Sequence, residues 1–503
     1  MSPTTPSSQQ TFLASQQTLL AQALLQAGRT AEAVVAAQAA VAAAPGDAEA
    51  AALLGRATDL LMAGDPDLVV VELKAAMHPQ LAEAQLDLAD AYLELDRPAD
   101  AERVLKALLV QDPDHAVGHQ SLGVAYLSVG MADAAEYYSQ RAVDLDSGLT
   151  IAHQTLANLF EARGDVAGSR LHLRQAYARQ SLFAQPARDP VLTVLVLVTS
   201  ESGNIPLTHL MPRSRYSSWV WYVEFARDGE VPPRCDLVLN AIGDPDVAGP
   251  VAPAAQRFLQ ASPAPLINAP EKVARTRRHQ MARLLEGIEG LVVPSVARLP
   301  PAPQRAADWL RVLLAAGMTL PALVRPAGSH GGRGLDLARD EPGLVSAATQ
   351  IGGEAYVTAF HDFASADGLY RKYRMIFVDR EPMPYHLAIS PGWLVHHETS
   401  GMEDDRARQA EELGFLEDPK AALGARAMAA IGEIGRRLDL DYCGVDFALL
   451  PDGRVLLFEA NATMLVHPEA PDSPFAAKAP FIARIIDRFQ AMLQARSRFM
   501  ILD

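Results

Sequence analysis

Oxygen-bearing side chains occur in two neighbouring apolar segments near the end of the sequence. Residues 442–450 (YCGVDFALL) contain Asp446, and residues 454–460 (RVLLFEA) contain Glu459 and lead into Asn461. An Asp-Gly pair between the two segments predicts a β-hairpin, which would bring the three side chains together. Because buried carboxylates need a compensating charge, this set predicts a hard divalent cation, with magnesium as the first choice.

A glycine-rich segment lies upstream of the hairpin and follows a short apolar run, residues 321–326 (PALVRP), that contains Arg325. Its residues are Ser329, His330, Gly331, Gly332, Arg333 and Gly334. Glycines let backbone N–H groups approach phosphate oxygens, and the two arginines could neutralise the phosphate charge. The segment lacks the lysine and hydroxyl that end a P-loop, so a phosphate cradle and a plain hairpin turn both stay open.

Basic side chains are concentrated between these two features. An apolar run, residues 356–360 (YVTAF), is followed by Arg371, Lys372 and Arg374, which precede a second apolar run, MIFV. Basic residues at the start of a strand, between a phosphate segment and a metal hairpin, are suited to hold a γ-phosphate or an anionic intermediate. A solvated basic turn is the alternative.

The elements that must position these residues begin with short apolar runs in the middle of the chain. Residues 191–198 (VLTVLVLV), 235–241 (CDLVLNA) and 265–268 (PLIN) have the length and composition of buried parallel strands. The first two are followed by glycine-containing loops, at the strand ends where open α/β sheets bind ligands. We therefore expect a small doubly wound domain over residues 191–267. No G-x-G-x-x-G motif follows these strands, which disfavours a nicotinamide dinucleotide site.

The first third of the sequence repeats with a period of 34 residues. The repeat aligns five leucines, each followed by alanine or glycine: Leu20, Leu54, Leu88, Leu122 and Leu156. The same offset aligns Tyr92, Tyr126 and Phe160, as well as three prolines near the repeat ends. This pattern resembles the tetratricopeptide repeat, and it predicts about five helical hairpins over residues 11–183. Such a solenoid usually binds a peptide or protein on its concave face, although a scaffold or dimerisation surface is the alternative.

Length and charge limit the remaining choices. A chain of 503 residues suggests about three domains, and residues 184–190 form the expected linker after the repeats. The net charge is −16, and residues 1–183 alone hold 11 basic and 22 acidic side chains. This balance disfavours nucleic acid and anionic membranes as partners. Two widely spaced cysteines and the absence of a long apolar run lead us to expect a cytoplasmic protein.

Taken together, the glycine-rich segment, the basic strand and the Asp…Glu-x-Asn hairpin resemble the ATP-grasp superfamily of carboxylate-amine ligases. The resemblance covers about residues 191–495, and it is strongest for the glutathione-synthetase-like and ribosomal-protein glutamate-ligase-like branches. It implies an α/β pre-ATP-grasp domain over 191–267 and an α+β ATP-grasp domain over 268–495. The expected fold class is therefore multidomain, with an all-α tetratricopeptide solenoid followed by these two domains.

The resemblance also implies roles for individual residues. Asp446, Glu459 and Asn461 would bind magnesium, in two ions, with manganese as an alternative. The residues expected to contact ATP are Arg278, Arg325, Ser329, His330, Gly331, Gly332, Arg333, Gly334, Thr358, Ala359, Phe360 and His361. Arg278 stands near a position where the family has lysine, and His279 is the alternative for that position. Arg374 and Lys372 would face the transferring phosphoryl group and the acyl phosphate.

The acceptor substrate would enter near His386 and the loop 395–401, because such enzymes receive the acceptor there. A histidine with an ordinary pKa of about 6.5 could take a proton from an attacking ammonium group. The alternatives are a core histidine at position 386 and a surface lid in the loop.

These observations predict an ADP-forming ligase that activates a carboxylate as an acyl phosphate and couples it to an amine. The solenoid would present a peptide, amino acid or carrier protein, and a homodimer is compatible with the sequence. A repeat-based adaptor with a regulatory or inactive nucleotide-binding domain is one alternative. A kinase or an ester-forming peptide cyclase is another, since a hydroxyl can replace the amine.

Overall fold

The structure is a computed structural model, and it describes residues 8–63, 66–187, 189–200, 203–246, 251–299, 306–327, 334–351, 353–396 and 400–498. The chain divides into two compact units, Met1–Gln180 and Ser181–Asp503. Within the described residues, no helix combines the length and the apolar character needed to cross a membrane.

The described part of the first unit consists of ten helices that form five consecutive hairpins. The helices are α1 (Ser8–Gln26), α2 (Thr30–Ala43), α3 (Ala48–Met62), α4 (Pro66–Met77), α5 (Ala82–Glu94), α6 (Pro98–Gln111), α7 (Ala116–Ser128), α8 (Ala132–Leu145), α9 (Thr150–Ala162) and α10 (Val166–Tyr177). Ten helices in this order confirm the predicted helical-repeat fold class.

The 34-residue period has a direct structural cause in the helix contacts. Gly123 lies where α7 approaches α8, and a Cβ atom at this position would clash with Oγ of Ser139. Small side chains at the repeat positions therefore let the helices pack closely. The histidines of two successive repeats also match, since Nε2 of His119 and of His153 bond to the carbonyls of Pro113 and Ser147, at 2.8 and 3.2 Å.

The described strands of the second unit form three sheets. The strands are β1 (Leu182–Gln185), β2 (Leu192–Val198), β3 (Tyr216–Tyr222), β4 (Leu237–Asn240), β5 (Leu266–Ile267), β6 (Leu291–Val292), β7 (Val296–Leu299), β8 (Ala322–Pro326), β9 (Asp336–Ala338), β10 (Ala355–Ala359), β11 (Tyr370–Val378), β12 (Glu381–Ser390), β13 (Tyr442–Leu449) and β14 (Val455–Asn461).

The helices of the second unit pack around these sheets, and short 3₁₀ turns occur at 223–225, 274–276, 278–280, 402–404 and 476–478. The helices are α11 (Pro253–Ala261), α12 (Pro270–Val273), α13 (Met281–Leu284), α14 (Ala306–Ala315), α15 (Glu341–Ile351), α16 (Arg406–Glu417), α17 (Pro419–Leu423), α18 (Ala425–Leu438) and α19 (Ala479–Arg498).

The first sheet has the order β1-β3-β2-β4-β5, and all neighbours run parallel except β1, which is antiparallel to β3. The three apolar runs predicted as parallel strands correspond to β2, β4 and β5. The predicted linker 184–190 differs from the structure at its start, because Ala184 and Gln185 belong to β1. The pattern of the repeats did not reveal this strand, which pairs with β3 more than 30 residues later.

The other two sheets carry the residues that the sequence singled out. A four-stranded antiparallel sheet, in the order β7-β10-β8-β9, is called here the small sheet. A five-stranded sheet, in the order β12-β11-β13-β14-β6, is called the large sheet, and only β6 pairs parallel to its neighbour. These strand sets are those among the described residues.

The first sheet and the large sheet share one hydrophobic core, to which β2 and β4 contribute together with β11, β13 and α18. Asn268 joins the two regions. Its side-chain oxygen accepts hydrogen bonds from the backbone N–H groups of Asp441 and Tyr442, both at 2.9 Å, and its own N–H donates to Asp441 at 2.8 Å. Residues 191–267 and 268–495 are therefore distinct in topology but packed as one unit.

Candidate functional site

A cleft that is partly open to solvent lies between the small sheet and the large sheet. Its polar lining includes Arg278, Arg325, Lys372, Asp446 and Glu459. These side chains come from segments up to 181 residues apart and were all predicted as site residues. Together with Thr358, Ala359, Phe360 and His361, nine of the predicted site residues line this one cleft.

The hairpin of β13 and β14 brings the predicted metal ligands together. Asp446 pairs directly with Glu459 in the antiparallel register, and Asn461 lies two residues further along β14. A register shift follows Asp446, so the ladder is irregular beside the two carboxylates. Nδ2 of Asn461 donates a hydrogen bond to Oε1 of Glu459 at 2.5 Å. Strand pairing therefore brings these side chains together, as the Asp-Gly turn predicted.

Asp446 is buried and held by two cations from β11. Nε and Nη2 of Arg374 donate to its two carboxylate oxygens at 2.6 and 2.8 Å, and Nζ of Lys372 lies 3.5 Å away. Burial alone would raise the pKa of Asp446, but Arg374 and Lys372 lower it to about 2. Burial would likewise lower the pKa of Arg374, but the Asp446 carboxylate raises it above its usual range. This pair is ionised at every physiological pH.

Glu459 is held by the cation on the other side of the cleft. Nη2 of Arg278 lies 2.5 Å from its Oε1 atom, and both side chains are about one-fifth exposed. Arg278 begins a short 3₁₀ turn, Arg278–Gln280. His279, the alternative for this position, stacks on Tyr356 with 6.3 Å between the ring centroids. Arg278 is therefore the residue that faces the predicted ligand hairpin.

Arg325 on β8 completes the cationic lining and is buried. Burial, with a smaller effect from Arg278, lowers its pKa to about 10, although Glu459 and Asp244 oppose the shift. Among the described residues that interact here, four cations, Arg278, Arg325, Lys372 and Arg374, face three carboxylates, Asp446, Glu459 and Asp244. An anionic ligand would restore the balance, because like charges that share a buried site destabilise each other.

The segment Thr358–His361, which was predicted to contact ATP, also lines the cleft. Thr358 and Ala359 end β10, and Phe360 and His361 follow them; all four line the cleft. Burial, with a smaller effect from Arg454, lowers the pKa of His361, so this side chain is neutral at pH 7. Val296 and Leu323, which pair with Thr358 across the small sheet, and Trp393, which contacts Phe360, give the cleft an apolar lining that suits an aromatic base.

Several lining residues were not predicted from the sequence. They are apolar: Met281, Val296, Leu323, Phe363, Trp393 and Leu457. Trp393 meets Phe360 edge to face, with ring centroids 5.9 Å apart. Alternation along the strands could have indicated Leu323 and Leu457, whereas Trp393 and Phe363 lie in loops without a periodic signal.

The other predicted residues fall into two groups. His386 lies on β12, where it pairs in register with Arg374, and it is buried rather than part of the cleft lining. His396 lines the cleft, but residues 397–399 lie outside the described part of the chain. The same holds for 328–333, so of the glycine-rich segment only Gly334 is described, with a φ of +68°.

The oxygen donors of Asp446, Glu459 and Asn461 fit a hard divalent cation in chemistry, since two carboxylates and an amide are its usual protein ligands. Among the described residues, no three His, Cys, Asp or Glu side chains cluster as a metal site. A cation here would therefore bind these two carboxylates together with phosphate oxygens. Arg278, Lys372 and Arg374 would then give up part of their contacts with the two carboxylates. The metal-ligand set stays a prediction.

Comparison with known proteins gives one family match. Residues 60–122 match the family described as Tetratricopeptide repeat, which confirms that part of the predicted repeat region. A comparison with curated proteins finds no significant match.

Several solved structures resemble parts of the chain. The D-Ala:D-Ser ligase VanG from Enterococcus faecalis is 13% identical and covers 60% of this chain and 99% of its own, with a TM-score of 0.37. D-alanine–D-alanine ligase from Bacillus anthracis, complexed with ATP, is 14% identical and covers 61% and 97%, with a TM-score of 0.36. A thermophilic tetratricopeptide protein from Thermus thermophilus is 22% identical and covers 33% and 92%, with a TM-score of 0.22.

Proposed function

We propose that the second unit is an ATP-dependent, ADP-forming ligase that joins a carboxylate to an amine through an acyl phosphate. One observation carries the proposal. Arg278, Arg325, Lys372, Asp446 and Glu459, which are scattered over the sequence, line one cleft between two sheets. The arrangement pairs a cationic, carboxylate-bearing end with an apolar end, as a nucleotide requires.

The nucleotide would lie along the cleft. Its base would occupy the apolar end, beside the backbone of Thr358–His361, Trp393 and Phe363. Its phosphates would extend to Arg278, Arg325 and Lys372, and the glycine-rich segment 329–334 would cover them. Arginine in place of lysine keeps the charge and offers two parallel N–H donors to phosphate oxygens.

The proposed cation site is formed by Asp446, Glu459 and Asn461. Magnesium bound there would neutralise phosphate charge as a Lewis acid. Arg374, which now bonds to Asp446 through two nitrogens, would stay beside the transferring phosphoryl group. Its charge would stabilise the anionic oxygens as the phosphoryl group moves to the substrate.

The proposed reaction has two steps. A substrate carboxylate oxygen attacks the γ-phosphorus, so that an O–P bond forms, the bond to the β-phosphate oxygen breaks and ADP leaves. An amine nitrogen then attacks the carbonyl carbon, an amide bond forms, and inorganic phosphate leaves with the bridging oxygen. The ammonium gives up one proton before the attack, for which His386, in register with Arg374, is the proposed acceptor, and the attacking nitrogen then loses a second proton, which the leaving phosphate carries.

The repeat unit would supply the macromolecular substrate. A solenoid of five helical hairpins provides an extended surface for a peptide or carrier protein. The carboxylate or the amine of the reaction would then belong to that partner, and the other group to an amino acid.

The proposal is tested with purified protein, ATP, Mg²⁺ and mixtures of peptides and amino acids. We expect ADP release that depends on both a carboxylate and an amine. Mass spectrometry should show a product whose mass is the sum of the two substrates minus one water. Glu459→Gln should reduce this ADP release at least about 1000-fold, since it removes one proposed metal ligand. Glu433→Gln is the matched control, because this carboxylate pairs with Arg436 and Arg437 on the surface. ADP release that survives Glu459→Gln would contradict the proposed site.

A nucleotide-binding adaptor without turnover is the second candidate, and one observation favours it. Arg374, Lys372 and Arg278 already pair with Asp446 and Glu459, so both carboxylates are compensated without a metal. Nucleotide binding with no ADP under any substrate condition would support the adaptor. A condensation product that hydroxylamine cleaves would instead indicate an ester and a hydroxyl acceptor.

A further inference from the structure

One face of the small sheet continues past the apolar lining of the cleft into a row of polar side chains. Three residues that pair across β7, β10 and β8 line the cleft: Val296, Thr358 and Leu323. Three more, two positions along the same strands, pair in the same way: Arg298, Tyr356 and Arg325. Side chains two positions apart lie on the same face of a sheet, so the second set is also on the cleft side. We call Arg298, Tyr356 and Arg325 the polar row.

The loop 243–246, which follows β4 of the first sheet, approaches one end of the polar row through Asp244. This side chain is buried, and its Oδ1 atom accepts a hydrogen bond from the backbone N–H of Asp246 at 2.7 Å. Burial lowers the pKa of Arg325, and the negative charge of Asp244 opposes that shift. Since such an effect weakens with distance, Asp244 lies near Arg325.

Asp246 approaches the rest of the polar row. Burial raises the pKa of Tyr356, and the negative charge of Asp246 adds to the shift. Glu354 pairs with Arg298 at 2.5 Å and raises the pKa of that arginine, and Asp246 adds a smaller effect. Two aspartates in one loop of the first sheet are therefore matched to two arginines and a tyrosine on the small sheet.

The loop is fixed against the segment that follows the proposed metal ligand Asn461. Gly243 lies so close to this segment that a Cβ atom would stand 2.9 Å from the carbonyl carbon of Ala462. The backbone N–H groups of Gly243 and Asp244 both donate to the carbonyl of Gly203, at 2.9 and 3.1 Å. The loop is thus held by the first sheet and by the end of β14, and its two aspartates extend from a fixed backbone.

We propose that Asp244 and Asp246 are positioning residues that hold the polar row, and Arg325 in particular, in the orientation that receives the nucleotide phosphates. This role rests on the proposed function, since it assumes that the phosphates lie at Arg325. An arginine binds phosphate best when its guanidinium group is already fixed, because less conformational freedom is then lost on binding. The carboxylates of the loop fix it through opposite charge.

The direction of the effect on binding separates positioning from charge alone. Two carboxylates beside a phosphate site repel phosphate, so a purely electrostatic role predicts that their removal strengthens nucleotide binding. A positioning role predicts that their removal weakens binding, although the site becomes more positive.

The test measures binding of a nonhydrolysable ATP analogue with Mg²⁺ by isothermal titration calorimetry. Asp244→Asn keeps an oxygen that can accept the N–H of Asp246 but removes the charge, and it should raise the dissociation constant about 10-fold. In the Arg325→Met background, Asp244→Asn should have no further effect, because the side chain that it positions is absent. The control is Asp228→Asn, which removes an exposed carboxylate that pairs with Arg257, and it should bind as wild type does.

Hydrogen exchange of the nucleotide-free protein tests the same contact without ATP. Asp246→Asn should speed amide exchange in β8 and β10 at least about 5-fold and leave β11 and β13 unchanged, because only the small sheet loses a contact. An unchanged or smaller dissociation constant for Asp244→Asn, an equal loss in the Arg325→Met background, or unchanged exchange in the small sheet would each overturn the positioning role alone. A wild-type protein that does not bind the analogue would overturn the proposed function and this role together.

Discussion

Ion pairs differ in sequence separation and in burial between the two units. In the solenoid, ion pairs such as Arg97–Asp100 join residues three positions apart, and both side chains are at least one-third exposed. In the second unit, Arg374–Asp446 and Lys478–Glu412 join residues more than 60 positions apart, and their carboxylates are almost fully buried. The difference indicates that the loss of one partner of a charge pair should cost more stability in the second unit than in the solenoid.

The largest loss of stability is expected when Lys478, which pairs with two carboxylates in the second unit, is replaced. Its Nζ lies 3.2 Å from Oε1 of Glu412 and 3.3 Å from Oε1 of Glu469. Lys478→Met should lower the free energy of unfolding by about 3–5 kcal/mol, because it leaves two buried carboxylates side by side. Urea denaturation measures the change, and Lys478→Met with Glu412→Gln should recover part of it. A loss under about 1 kcal/mol would contradict the account.

A smaller loss is expected from Arg374→Met. Asp446 would keep Lys372 at 3.5 Å, so the free energy of unfolding should fall by about 2–3 kcal/mol. The matched solenoid variant, Arg97→Met, should stay within about 0.5 kcal/mol of wild type, since exposed pairs contribute little. Equal losses in the two variants would remove the distinction between the units.

Packing in the solenoid is tested at two glycines that occupy the same repeat position. A Cβ at Gly123 would meet Ser139, with its backbone nitrogen at 3.2 Å, whereas a Cβ at Gly55 would have no neighbour within 4 Å. Gly123→Ala should destabilise the unit by about 1–2 kcal/mol. Gly55→Ala should stabilise it by up to about 1 kcal/mol, because alanine favours the helix. Thermal melting of both variants should show shifts of opposite sign.

The smallest effect concerns pH and a histidine pair in the solenoid. Nδ1 of His153 and Nδ1 of His172 lie 3.0 Å apart, and burial, with a smaller effect from His153, lowers the pKa of His172. The unfolded chain then binds a proton near the ordinary value of 6.5 before the folded protein does. Stability contributed by this group is present above pH 6.5 and is lost as the pH falls below it. His172→Gln should flatten the dependence of the melting temperature on pH in this window.

The sequence predicted most where the signal is local. The 34-residue period identified the helical hairpins because each repeat contains the same small and apolar positions, and the Asp-Gly turn identified the hairpin that pairs Asp446 with Glu459. Both signals lie within one supersecondary unit, and the residues that form them are close in sequence.

Other features depended on contacts between distant segments and were missed. The pairing of Arg374 with Asp446, 72 residues apart, follows from the register of β11 and β13, which no turn fixes. The packing of Asn268 against Asp441 and Tyr442 joins two regions that composition had separated. The apolar wall at Trp393 and Phe363 is formed by loops, whose positions depend on the whole fold.

The most direct test of the account is binding of a nonhydrolysable ATP analogue with Mg²⁺, measured by isothermal titration calorimetry. We expect wild type to bind one analogue per chain and Arg325→Met to bind it about 10- to 100-fold more weakly, because a charge-assisted hydrogen bond in the cleft is lost. Arg97→Met on the solenoid should bind as wild type does. A wild-type protein that does not bind the analogue, or an Arg325→Met variant that binds it equally well, would contradict the assignment of the cleft to a nucleotide.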